Sequence, residues 1–215
     1  MFKSDLILVT NDDGYKAKGI KALLGVAKLL SRNVWSFAPN LNNSGKSHSI
    51  TINKKIKIKP VGDKHFVVFG TPVDSVLSGV KYLKKKKQVP SIILSGINYG
   101  QNLGLDLLYS GTAAAAKEGS ILGIKSFAIS LEKNNNKPNW SLVSKYLPSI
   151  LENIIKLDIN SNIFFNINFP NINFKELKGC KLVKAGKRKP GEISKIIKSK
   201  SDNFYLYIPS ERKIH

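Results

Sequence analysis

Asn11-Asp12-Asp13-Gly14 follows the apolar run Leu6-Ile7-Leu8-Val9 and Thr10, so two adjacent carboxylates stand where a buried strand opens into a loop. Neighbouring carboxylates repel each other and resist burial unless a cation or a set of donors holds them. A hard divalent metal such as Mg2+ or Mn2+, which takes oxygen ligands, offers that compensation. The same four residues also make a good solvated turn, and alone they leave both readings open. Two further loops carry polar oxygen chemistry: Pro39 to His48, and Ser95 to Asn102 continuing through Asp106 to Ser110-Gly111-Thr112. Together the three could place two carboxylates, a hydroxyl and an amide oxygen at one rim, an oxygen-only set for a hard cation.

Ser110-Gly111-Thr112 precedes the alanine-rich stretch Ala113 to Ala116. Backbone N–H groups at a helix N-terminus, flanked by hydroxyls, form an anion cradle. Ser and Thr also serve as ordinary N-caps. An anion cradle beside a hard cation points to a phosphate ester as substrate.

The elements that must position these loops alternate. Strands are expected at Leu6–Thr10, Asn33–Ala38, Ser91–Ser95 (broken at Gly96), Phe127–Ser130 and Ile163–Phe169. Helices are expected at Gly19–Leu30, Pro72 to about Leu83, Thr112–Leu122 and Trp140–Ile155. Ser49 to Lys59 alternates Ile50, Ile52, Ile56 and Ile58 with polar residues, the period of a half-exposed strand pairing with His65–Phe69. The fold class is α/β: a doubly wound, mostly parallel, Rossmann-like sheet with helices on both faces and antiparallel hairpin excursions. In such sheets ligands bind at the carboxyl ends of the strands, near the point where strand order reverses. Residues 1–170 are expected to form the core carrying the site. Residues 171–215 are expected to form a β extension of it, with short strands around Lys181–Lys184 and Phe204–Ile208.

A chain of 215 residues can bury roughly 70–75% of its unfolded surface without staples. The single cysteine, Cys180, excludes an internal disulfide framework and reads as a small apolar residue of a strand. No apolar run reaches membrane-spanning length, and Met1 to Asp5 lead straight into the first strand, leaving no room for a signal peptide. A soluble cytoplasmic protein is expected. The net charge of +21 is mostly lysine, with a run at Lys84-Lys85-Lys86-Lys87 and a cluster from Lys184 to Lys200. A nucleic-acid-binding module is one reading of such charge. The basic residues lack the interleaved aromatics of a single-strand groove and match no helix-turn-helix or finger pattern.

The motifs together resemble the SurE family, the stationary-phase survival proteins. The matching stretches are Ile7 to Gly14, Ala38-Pro39 through Ser44-Gly45 to Ser49-Ile50-Thr51, Gly70-Thr71-Pro72-Val73-Asp74, and Ser95-Gly96-Ile97-Asn98 through Tyr109-Ser110-Gly111-Thr112 to Glu118-Gly119. The resemblance implies a metal-dependent 5′/3′-nucleotidase acting on nucleoside monophosphates and sometimes short polyphosphate, in cytoplasmic homodimers or homotetramers. It implies that Asp12, Asp13, Ser44 and Asn98 hold one divalent metal per subunit and that Ser110, Gly111 and Thr112 bind the phosphate. Gly70-Thr71-Pro72 would shape the pocket. It also implies a further C-terminal stretch where this sequence stops at Arg212-Lys213-Ile214-His215. A fragment is one reading of that stop, which bears on subunit contacts and stability.

The chemistry expected is hydrolysis by an activated water, with Asp12 or Asp13 taking its proton. Paired carboxylates after a first strand also suit a phospho-accepting aspartate domain, so a phosphoenzyme is the covalent alternative. His48 reads as a pocket residue or a structural one. Tyr99 and Tyr109 read as base-stacking or packing residues.

Overall fold

The structure is a computed structural model that describes residues 6–157, 162–187, 194–198 and 204–207. Its first half runs β1 (Ile7–Thr10), α1 (Lys18–Leu30), β2 (Val34–Pro39), β3 (Ile58–Gly62), β4 (His65–Val68) and α2 (Pro72–Lys85). The second half runs β5 (Ile92–Tyr99), α3 (Gly111–Ile121), β6 (Lys125–Leu131), α4 (Trp140–Ile155) and β7 (Phe164–Phe169), then β8 (Lys195–Lys198) and β9 (Phe204–Tyr207). Seven strands form one sheet in the order β3-β4-β2-β1-β5-β6-β7, parallel throughout except for the β3–β4 pair. The sheet therefore grows outward in both directions from β1, and the order reverses between β1 and β5. That is the expected doubly wound sheet.

Both faces of the sheet are covered, which is why its strands read as unbroken apolar runs. On one side α1 and α4 bury Ile20, Leu23, Leu30, Leu142 and Leu147 against Ile7, Val9, Leu94 and Ile129. On the other, α2 closes Val76, Val80 and Leu83 over Leu8, Phe37 and Ile93, beside stacked Phe37 and Phe66 rings. Each fully buried side chain of this size contributes about 1.5–3 kcal/mol. Helix starts follow their local chemistry. Proline opens α2, and Thr71 and Asp74 form a reciprocal capping box. The α3 segment is buried from Gly111 to Ala116, because only small side chains let it lie so close to its neighbours.

Three sequence expectations are corrected. Residues 49 to 57 form no strand: Ile50 and Ile52 are exposed, and side-chain bonds hold the backbone at Ser49 and Thr51. Thr51 N–H and hydroxyl both donate to Asp74, and the Ser49 carbonyl accepts from the Thr71 hydroxyl. Only Ile58 to Gly62 pairs with β4. Strand β5 does not end at Gly96; its register with β6 shifts between Ser95 and Asn98, and pairing resumes at Asn98–Ser130. Lys181–Lys184 is irregular and exposed, and Cys180 is exposed rather than packed in a strand. Phe204–Tyr207 is a strand, paired antiparallel with Lys195–Lys198 from the lysine-rich linker. Met1–Asp5, Ile208 and Arg212 to His215 lie outside the described residues.

Candidate active site

Strands β1 and β5 are paired in register up to Thr10–Ser95, so the loops leaving their carboxyl ends emerge side by side at the reversal point. Gly14, at φ +98°, turns the first loop back. Its carbonyl accepts from the Asn11 amide at 2.9 Å, and the next N–H, of Tyr15, reaches the Pro39 carbonyl at 2.9 Å. Asp12 is thereby sunk to 3% exposure, while Asp13 stays only partly buried.

Helix α3 approaches from the other side. The Thr112 hydroxyl donates to the Asp12 carboxylate, and the Thr112 backbone N–H beside it also favours the ionised form. Gly111 permits this approach: a Cβ there would stand 2.8 Å from Asp12 Cβ and 3.1 Å from Pro72 Cγ. Ser110 is the N-cap, its hydroxyl oxygen accepting from Ala113 N–H at 3.0 Å. Part of the anion cradle is therefore already spent, on the protein's own carboxylate.

The second loop is strapped over this pair. Asn43 N–H donates to the Asp12 carbonyl at 2.7 Å, which sets Ser44 one residue away, exposed on the loop. Ser47 donates from its N–H to the Tyr109 carbonyl and from its hydroxyl to the Leu108 carbonyl, at 3.1 and 2.6 Å. His48 Nε2 meets Glu118 of α3 at 2.8 Å. His48 thus ties the loop to α3 instead of standing free.

The third loop contributes through the end of β5. The Tyr99 backbone N–H lies near enough to the Asp13 carboxylate to favour its ionised form. The Asn98 amide nitrogen donates to the Gly100 carbonyl at 2.6 Å, which leaves its oxygen as the half available to a cation. Farther along, buried Asn102 is held by Asn166, Asn168 and Ser130, fixing the start of the loop that leads to Ser110. Tyr99 packs its ring edge on Trp140, while Tyr109 is about half exposed beside Ser110.

The electrostatics are unfavourable for the bare protein. Burial pushes the Asp12 carboxyl up from its ordinary value, against the Thr112 bonds that favour its ionised form. Asp13 is pushed up to about 6, by burial first and then by the charge of Asp12. Nearby, the buried oxygens Thr10 Oγ1, Asn11 Oδ1 and Ser95 Oγ have no hydrogen-bond partner. Among the described residues no three of His, Cys, Asp and Glu converge as a metal cluster. The donor set is two carboxylates with neutral amide and hydroxyl oxygens. Two destabilised carboxylates beside unpartnered acceptor oxygens fit a hard, oxygen-loving cation.

Asn43, the Tyr99 N–H, Gly111 as a spacer and Glu118 were not singled out for these contacts from sequence. All four lie in loops or motifs quoted from the sequence, but there Gly111 reads as part of an anion cradle and Tyr99 through its ring.

Comparison with known proteins decides the family. Residues 7–192 match the family described as Survival protein SurE. The chain belongs to the SurE family. A 5'-nucleotidase SurE from Rhodopseudomonas palustris (strain TIE-1) is 40% identical over 212 residues, covering 96% of this chain and 82% of that protein. One from Bradyrhizobium sp. (strain BTAi1) is 42% identical over 188 residues, covering 86% and 73%. The crystal structure of the SurE protein from Aquifex aeolicus superposes with a TM-score of 0.83 at 35% identity, covering 96% of this chain and 83% of that one. The SurE motifs read from the sequence are thus the ones that build the rim.

Proposed function

We propose that this chain is a 5'-nucleotidase: it hydrolyses nucleoside monophosphates to nucleoside and phosphate, with a divalent cation, Mg2+ or Mn2+, held by Asp12, Asp13, Ser44 and Asn98. The observation that carries the reading is the convergence on Asp12 of bonds from α3 and the Asn43 loop, in a member of a family whose relatives are named 5'-nucleotidases. When bound, such a cation supplies Lewis acidity and neutralises phosphoryl charge.

The protein's own residues do the rest. In this reading the end of α3 from Ser110 to Thr112 turns its positive pole to the phosphate, and the Gly111 N–H meets an equatorial oxygen. Thr112 holds Asp12 in one rotamer, so that carboxylate serves as a fixed ligand. Asp13, the more exposed of the pair, accepts the proton of the attacking water. The strapped loop keeps Ser44 at the rim.

Phosphate release from AMP and other nucleoside monophosphates, with and without Mn2+, Mg2+ and EDTA, tests the proposal. No release with any of them would sink it. Trapping of a stable aspartyl-phosphate during turnover would replace the water route with the covalent one.

We also propose a cytoplasmic homodimer or homotetramer. Support for the assembly comes from the exposed apolar side chains of the antiparallel β8–β9 pair, including Ile196, Phe204 and Leu206. Among the described residues no helix is long and apolar enough to cross a membrane.

A further inference from the structure

At the opposite end of the sheet, where β2 and β4 begin, lies a cleft of about 540 Å³ lined by Lys28, Ser31, Arg32, Val34, Asp63, Lys64 and His65. That volume falls within the range of small-molecule sites. Three cationic side chains converge there from two unrelated segments, the end of α1 and the β3–β4 turn. Among the described residues none of them is in ion-pair contact with a carboxylate, although Asp63 lines the same cleft.

Two of the lining groups are held in place. Lys64 Nζ donates to the Asn33 amide oxygen at 3.0 Å and lies over the Trp35 ring, and Trp35 Nε1 shares that acceptor at 2.9 Å. His65 Nδ1 is engaged by the Ser36 hydroxyl at 2.8 Å, which leaves Nε2 as the ring's other polar atom. Cations gathered in a concavity repel one another, and an anion seated among them relieves that cost. The end of α1 here is its carboxyl end, whose negative pole opposes an anion, so the side-chain cations must outweigh it.

We propose that Lys28, Arg32, Lys64 and His65 form a second anion site, on the rim opposite the carboxylates, that takes the phosphate group of a small molecule. Side chains alone build it, so binding is weak and falls with salt. Burial and the charge of Lys28 hold the His65 imidazole below its ordinary value, with Asp63 acting weakly the other way. A bound anion reverses that balance.

The test is NMR of histidine-labelled full-length protein in EDTA at fixed ionic strength, with inorganic phosphate added in one arm and AMP in the other. The His65 signal is assigned by its loss in H65Q, and His48, tied to Glu118, monitors the active site. The expected result is a saturable shift of the His65 resonance and a higher titration midpoint, both lost in K28A/R32A, with the His48 resonance the same as in wild type. A response to phosphate supports free phosphate as the ligand, and a response to AMP alone supports a nucleotide's phosphate. No response to either, or an undiminished response in K28A/R32A, overturns the proposal.

Discussion

The Thr112 hydroxyl donates to the carboxylate of Asp12, joining two residues 100 positions apart across the reversal point of the sheet. This bond makes α3 part of the carboxylate site: whatever displaces the helix displaces the Asp12 carboxylate. Replacing Thr112 by Val keeps the volume and removes the donor. A loss of about 1–3 kcal/mol in cation binding is expected, with T112S close to wild type. Isothermal titration with Mn2+ measures it, and equal affinities for T112V and wild type would contradict the role.

Gly111 should tolerate nothing larger. A methyl group there meets Asp12 Cβ and Pro72 Cγ, so G111A must push α3 outward. Destabilisation of about 1–3 kcal/mol is expected, with cation affinity falling alongside. Denaturant melts paired with the Mn2+ titration check both.

Asp13 makes the metal-free protein pH-sensitive. Its carboxyl stands near 3.8 when unfolded and about 6 when folded, so the folded state holds the proton more tightly. This group's contribution to stability is greatest below pH 4 and is lost as pH rises through 6. With EDTA present at pH 7, D13N should therefore be more stable than wild type, on the order of 1–3 kcal/mol. Added Mn2+ should raise the Tm of wild type and leave D13N unmoved. Thermal melts at pH 4 and pH 7 decide it; a D13N less stable than wild type in EDTA at pH 7 would be the wrong outcome.

Asp74 shows what was legible in the sequence and what was not. Its place three residues after Thr71, with Pro72 between, marks the start of α2, and the helix begins there. Nothing local says that the same carboxylate reaches across to Thr51 and draws residues 49 to 57 out of a strand. The Ile alternation in that stretch carried the right period, but tertiary side-chain bonds claimed the backbone first. The parallel core strands were legible because both faces are buried, and helix starts because their caps are local. Asp12, Asp13, Ser44, Asn98 and Ser110 to Thr112 were legible as motif residues. The Asn43 and Tyr99 N–H contacts were not, since a backbone donor leaves no mark on residue type.

Asp74 also carries a prediction. It is 1% exposed and accepts from both Thr51 and Thr71, so D74A leaves several donors unpaired at once. A loss of about 2–4 kcal/mol is expected, with the strapped loop opening before the core. Hydrogen exchange at Ser47 to Thr51, faster in D74A than in wild type, would register it. Unchanged exchange there would remove Asp74 from the strap.

Metal dependence is the most direct test. Phosphate released from AMP is followed in wild type, D12N and D13N, first with EDTA and then after Mn2+ or Mg2+ is restored. Wild type should fall silent under chelation and recover with the cation, while both variants fold normally and stay silent throughout. Release that persists in EDTA, or in folded D12N or D13N, would contradict a cation held at this rim.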